Sequence, residues 1–263
     1  MIRLFRQECK LNLKSLLIWL LCVSGMGLFC ILLYTSIEES MEGMAATMAA
    51  MGAFASAFGM DRLSIATLEG FYATEVGTIH ALGGAMFAAL LGIGLLSKEE
   101  EGHTGDFLHT LPISRKEVVG AKYLTLVTGV VVFNVISVTL YLLGIVILGE
   151  EIAMSEFFLY HGMQCFLHLE IGTVCFLISA CSRKNKLGIG LGFTFFFYVW
   201  DLLGRVVPDL KDTLFLTPFS YANASDVFST GEVEWKAFVV GTIVLLGAVI
   251  GSFIVYEKKD LAV

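Results

Sequence analysis

The chain has 263 residues, of which 57% are hydrophobic and only 16% charged, with a mean hydropathy of +0.81. A water-soluble domain of this length has too little interior for so much apolar surface, and its charged share is normally nearer about a quarter, so a soluble globular fold is excluded. The net charge of −7 decides little, because placement of charge outweighs its sum in a membrane protein, and no nucleic-acid partner is expected.

At the N-terminus, Arg3, Arg6, Lys10 and Lys14 line one side of a helix, with Ile2, Phe5, Cys9 and Leu13 around the other. This pattern predicts an interfacial elbow helix held against anionic headgroups; a basic flank that only fixes topology is the alternative. Ser15–Ile37 follows, the first of six stretches that reach the ~20 residues needed to cross a ~30 Å hydrocarbon core. Its uncharged run is too long for the apolar region of a cleaved signal peptide. Gly43–Met60 is also uncharged but rich in Ala, Gly and Met, and Met41, Met44, Met48, Met51, Ala55 and Phe58 recur at helical spacing. An amphipathic helix over 41–60, resting on the outer face, is expected there rather than a seventh span.

The remaining spans are Val76–Ser97, Tyr123–Gly149, Phe157–Ser182, Leu187–Val207 and Ala237–Tyr256. Backbone groups in lipid must be paired internally and no alternating strand pattern occurs, so the spans are helices. The fold class is therefore an all-α integral membrane protein, a single domain over 1–263 with six transmembrane helices. With the N-terminus inside, only Arg62, Arg205, Lys211 and Lys236 of the 17 basic residues fall outside, a bias that sets both termini in the cytoplasm.

The loop between spans two and three, residues 98–116, is the most charged. Glu99, Glu100 and Glu101 close span two on the side where basic residues prevail. Gly102 and Gly105 break the chain, Thr104 is placed to cap a short helix carrying Asp106, Phe107, Leu108 and Leu111, and Pro112 stops it. Ser114 and Glu117 then form the S-x-x-E capping box that starts span three, just before and after Arg115. A short helix beneath the membrane, apolar beside charge and joined to two spans, is a handle for a cytoplasmic protein.

Glu170 lies in mid-membrane, where an acid is costly and faces protein or water. It is read as a hydrogen-bonded packing acid, with a proton-coupled carrier as the alternative. His161 and His168 raise an intramembrane metal hydrolase, but no H-E-x-x-H and no third ligand accompany them. Asp201 and Arg205, at i and i+4, are expected to pair near the outer surface. Between spans five and six, Thr217-Pro218 reads as a helix start, and Phe215–Phe228 is too apolar for a free loop and too short to cross. Gly188/Gly192 and Gly247/Gly251 have the small-xxx-small spacing of close helix contacts. The six cysteines are packing residues, without the spacing of a zinc or disulfide framework. No G-x-x-x-x-G-K-[ST] phosphate loop occurs, so the chain is not expected to be an enzyme or to hydrolyse ATP, and no metal or cofactor of its own is expected.

Glu100–Gly102, Leu111–Arg115 and Gly120–Lys122, with the six-span layout, the elbow and the closing Tyr256–Leu261 tail, resemble the permeases of type-2 ABC exporters. The resemblance implies that loop two–three is a coupling helix, Gly102–Leu111, docking in a groove of an ATPase. Its coupling residues would be Glu99, Glu100, Glu101, Gly102, Thr104, Asp106, Phe107, Leu108, Leu111, Pro112 and Arg115. It further implies two cytosolic ATPase subunits that bind ATP and Mg, and a second permease, identical or paralogous. It also implies re-entrant helices between spans five and six, a bacterial cytoplasmic membrane, and outward movement of a peptide, drug or lipid. Spans two and five line the family's cleft, which makes Phe87, Phe193, Phe196, Phe197 and Trp200, with Glu170, candidates for the path. For the span-five aromatics, a surface facing lipid or other helices is an equal reading. An ion-coupled carrier built on Glu170 and a non-transporting anchor or sensor are the rival functions.

Overall fold

The computed structural model describes residues 1–102 and 113–259, and these are helical, with no strand among them. Helix α1 (Ile2–Ala49) leads to a short α2 (Ala53–Phe58), then α3 (Leu68–Leu95) and α4 (Ser97–Glu101). Then come α5 (Arg115–Leu148), α6 (Met154–Cys181) and α7 (Leu187–Val206). A 3₁₀ segment, Pro208–Leu216, precedes α8 (Pro218–Tyr221), α9 (Ala224–Thr230) and α10 (Trp235–Lys258). Six of these, α1, α3, α5, α6, α7 and α10, are long and apolar enough to cross a bilayer.

Helices α3 and α6 form the centre and are mostly buried, whereas α7 and α10 leave most of their surface outside the bundle. Small residues set the central contact. A Cβ on Gly92 of α3 would stand 2.2 Å from the Gly172 carbonyl of α6, and one on Gly84 would stand 2.2 Å from the His168 ring. Backbone thus meets backbone, and the packing of α3 on α6 depends on the missing side chains. The glycines singled out by spacing behave differently: Gly188, Gly192 and Gly247 have open space around them, and Gly251 meets only the Leu177 side chain. They leave smooth outer surface rather than internal contacts.

Three elements depart from the expectation. The elbow and the first span are one continuous 48-residue helix with a π-helical turn at Leu20–Ser24. A helix of that length rises about 72 Å, far more than the hydrocarbon core, so its ends lie beyond it. Its inner face also differs: Leu4 and Leu16 join the core and Glu8 is buried, while Ile2 and Leu13 are exposed. The segment 41–60 is not one amphipathic helix, because α1 runs on to Ala49 and Gly52, at φ 55°, turns the chain before α2. Met41 and Met48 still pack with Ala55 and Met60. Finally, α3 begins at Leu68, eight residues before the expected Val76, because Phe71, Tyr72 and Ala73 are buried by neighbouring helices and need no lipid.

Helix α8 starts as read, with Thr217 Oγ1 accepting from the Phe219 amide at 3.2 Å, and α9 starts at Asn223, whose Oδ1 accepts from the Asp226 amide at 3.1 Å. Pro218, Phe219, Tyr221, Val227 and Phe228 are buried against the bundle, the condition under which such broken backbone survives at membrane depth.

Gly92→Ala should lower the unfolding temperature of the detergent-purified protein, because over-packing costs about 1–3 kcal/mol. Gly247→Ala should leave it unchanged or raise it. Equal stability of the two variants would show that α3 and α6 are not in backbone contact.

Candidate functional site

The base of the loop between α4 and α5 is built on two lysines. Lys122, on the first turns of α5, is fully buried, and its Nζ donates to Glu8 Oε1, to the Leu95 carbonyl and to Glu99 Oε1, each at 2.7 Å. All three ammonium protons are thereby used. Lys98 pairs with the second oxygen of the same Glu8, whose side chain is also buried. Charge taken out of water is tolerable only when paired and hydrogen-bonded this completely.

Beside this centre, Glu100 is buried and pairs with Lys259, whose Nζ also donates to the Ser182 carbonyl at 2.6 Å. The second carboxylate oxygen of Glu100 has no partner among the described residues. Glu101 Oε2 accepts from the Asn185 amide at 3.0 Å. Ser179 Oγ accepts from the amides of Leu96 and Ser97 at 3.1 and 2.9 Å, where α3 gives way to α4. Arg115 donates to the carbonyls of Glu257 and Lys259 at 2.9 and 2.7 Å. The returning chain enters α5 through the expected capping box: Ser114 Oγ accepts from the Glu117 amide at 3.2 Å and the Ser114 amide donates to Glu117 Oε2 at 2.9 Å.

The ends of α1, α3, α5, α6 and α10 therefore meet around the root of one loop. Of the expected coupling residues, Gly102 is exposed on its near side. Thr104, Asp106, Phe107, Leu108, Leu111 and Pro112 lie outside the described residues. Glu99 and Glu100 turn inward to Lys122 and Lys259, while Glu101 stays exposed and accepts from the Asn185 amide, and the half-buried Arg115 reaches the end of α10. Glu8 was not found by sequence reasoning. Its one signal was a lone acid among Arg3, Arg6, Lys10 and Lys14.

Within the bundle, Glu170 Oε2 accepts from the Tyr221 hydroxyl at 2.7 Å and lies over Gly241 of α10, where a Cβ would meet it at 2.4 Å. His168, two residues earlier, faces the other way, as helical geometry requires. Its Nδ1 is 3.2 Å from Asn134 Oδ1, which is equally 3.2 Å from His80 Nε2. His161 Nε2 is 2.7 Å from the Tyr72 hydroxyl. No group of His, Cys, Asp or Glu among the described residues could hold a metal ion, and Glu170 is not joined to the histidines. His80, Asn134 and Tyr72 escaped the sequence reading, since each looks like an isolated polar residue in its own span.

Phe87 is buried and stacks on Phe133 with ring centres 5.1 Å apart. It belongs to the chain's own core and does not join the span-five aromatics. Phe193 and Phe197 are half-buried against a separate apolar cluster that includes Ala89, Ile93 and Phe219, Phe196 is 52% exposed, and Trp200 donates to Thr213 Oγ1 at 2.9 Å. Phe196 packs on Trp200 with ring centres 5.2 Å apart. At the end of the bundle away from the termini, Arg205 donates to Asp201 and Asp226, both at 2.8 Å, and Arg62 pairs with the other oxygen of Asp226. The expected Asp201–Arg205 pair is thus the start of a longer chain of charges linking α7 to α9.

Six spans with polar networks sealed between them define a multi-pass helical membrane protein. Residues 2–261 match the model of the ABC-2 family transporter proteins, and the chain belongs to that family. It is a permease of an ABC-type transporter, a membrane transport component of a kind that generally works with ATPase partners. No curated protein matches it.

Lys122→Met leaves the buried Glu8 with Lys98 alone, and should cost about 3–5 kcal/mol of stability, read as a lower unfolding temperature. Adding Glu8→Gln should recover part of that loss. Strict additivity of the two substitutions would mean that they do not interact.

Proposed function

We propose that the chain is one of two permease subunits, identical or paralogous, of an ATP-driven exporter in a bacterial cytoplasmic membrane, with both termini inside. Two cytosolic ATPase subunits bind ATP and Mg and grip the loop between α4 and α5. The observation that carries this reading is the anchored root of that loop. It leaves and re-enters the bundle through a base in which Glu8, Lys98, Lys122, Glu99, Glu100 and Lys259 are locked together. A force applied to the loop passes to α3 and α5 together instead of being lost in slack chain. Phe107, Leu108 and Leu111 supply the apolar grip, and Glu99, Glu100 and Glu101 hold the lever in position rather than touch the ATPase.

The cargo is hydrophobic or amphipathic and moves outward between the two permeases, past the exposed Phe196 and the neighbouring Trp200. An ion-coupled carrier is less well supported, because Glu170 is held by Tyr221 and covered by α10.

Affinity purification in mild detergent should bring down an ATPase. Phe107→Ala/Leu108→Ala/Leu111→Ala should reduce its recovery and ATP-driven transport at least about tenfold, since three apolar anchors contribute several kcal/mol, while the unfolding temperature stays the same. A chain that transports with no ATPase bound would overturn the reading. Glu170→Gln tests the carrier directly. ATP-driven transport in proteoliposomes should survive the substitution, whereas a proton-driven flux abolished by it would favour the carrier.

A further inference from the structure

All four basic residues expected on the outer side, Arg62, Arg205, Lys211 and Lys236, line one pocket of about 510 Å³ at the end of the bundle away from the termini. Arg62 and Arg205 are occupied by Asp226 and Asp201. Lys211 and Lys236 are different: among the described residues neither has a hydrogen-bond or ion-pair partner, and the same holds for the carboxylates of Asp212, Glu232 and Glu234 beside them. Two free cations and three free anions in one concavity suit neither a simple anion nor a simple cation. They suit a ligand that carries both charges a short distance apart.

The pocket is also not closed by protein on every side. Asp212, Phe215 and Lys236 belong at once to it and to an adjoining groove lined by Trp235 and Val239. Trp235 is 62% exposed at the start of α10, and Val239, Ile243, Leu246 and Ile250 continue as an exposed apolar stripe along that helix. A tryptophan above such a stripe marks the boundary between headgroups and hydrocarbon. Charge in the pocket and grease in the groove are thus arranged as head and tail of one amphipathic molecule lying against α10.

We propose that this is a binding site for a phospholipid with a zwitterionic, primary-ammonium headgroup. Its phosphate sits on Lys211 and Lys236, its ammonium donates to Asp212, Glu232 or Glu234, and an acyl chain runs down the Trp235–Val239 groove. An ammonium has three protons for those carboxylates, whereas a choline headgroup has none, so the site prefers phosphatidylethanolamine over phosphatidylcholine. Phosphatidylglycerol offers the phosphate but brings only neutral hydroxyls, and no cation, to the acids. The site lies apart from the loop between α4 and α5 and stands whether or not the chain exports.

The test is native mass spectrometry of the full-length protein, with any bound ATPase, released from micelles holding equal amounts of phosphatidylethanolamine, phosphatidylcholine and phosphatidylglycerol. Phosphatidylethanolamine should dominate the retained lipid. Its excess should fall about tenfold in Lys211→Glu/Lys236→Glu, the equivalent of one charge-assisted hydrogen bond, and stay unchanged in Lys184→Glu/Lys186→Glu, exposed at the opposite end. In Glu232→Lys/Glu234→Lys the preference should swing to phosphatidylglycerol. Equal retention of the three lipids, or the same preference in the Lys211/Lys236 variant, overturns the proposal. So does displacement by millimolar phosphoethanolamine, because the pocket would then take the soluble headgroup alone.

Discussion

The buried ammonium of Lys122 is the point on which the rest of the structure turns. An unpaired lysine in a bundle of apolar helices would be among the most costly groups the chain could carry. Its three protons reach three separate elements: Glu8 on α1, the last carbonyl of α3, and Glu99 on α4. Desolvation makes each bond worth more than it would be in water, and makes the loss of any one of them expensive. The first three spans are therefore fixed to one another at the end where the loop between α4 and α5 begins.

The same arrangement gives a physical meaning to the basic residues at this end. Lys122 donates to Leu95, the final residue of α3. Lys259 donates to Ser182, the cap of α6, and Arg115 to Glu257 and Lys259 at the close of α10. Three helices that run toward the same end each finish on a cation. The last carbonyls of a helix lack intrahelical partners and form the negative end of its dipole, so a lysine or arginine there satisfies both. The lysines and arginine gathered at this end thus seal the helix ends beside them.

How much of this was legible in the sequence depended on how far the cause reached along the chain. The six spans, the Ser114–Glu117 box, the Thr217 cap and the Asp201–Arg205 pair are decided by residues within a few positions of one another, and the structure repeats them. The acidic run at Glu99–Glu101 was visible too, but its partners were not. Lys259 lies 159 residues from Glu100, so a local reading could single out the acids without naming the lysine that holds one of them. The start of α3 was missed for a related reason: Glu69 and Glu75 lower the hydropathy of a segment whose burial comes from other helices. The inner face of α1 went wrong because a buried acid reverses the usual rule of polar side out, and only the lysines waiting inside explain it.

Helix α6 shows why polar residues inside the bundle need not imply conduction. His161, Gln164 and His168 face α3, α5 and the short helices, and each is bonded there: to Tyr72, to the Ala222 carbonyl at 2.6 Å, and to Asn134. Glu170 points elsewhere, to Tyr221. Among the described residues, these two polar networks on one helix are separate, with backbone between them. They give directional contacts between helices whose apolar surfaces would otherwise slide over one another, since lipid tails and leucines offer no preference for one register. Gly92 and Gly172 bring α3 and α6 close enough for these bonds to form, and the bonds in turn hold the glycines in register. Close approach and polar pairing thus require each other. A bundle core fixed in this way holds together as a unit, because the bonds that would have to break to deform it lie inside the unit and not at its edges.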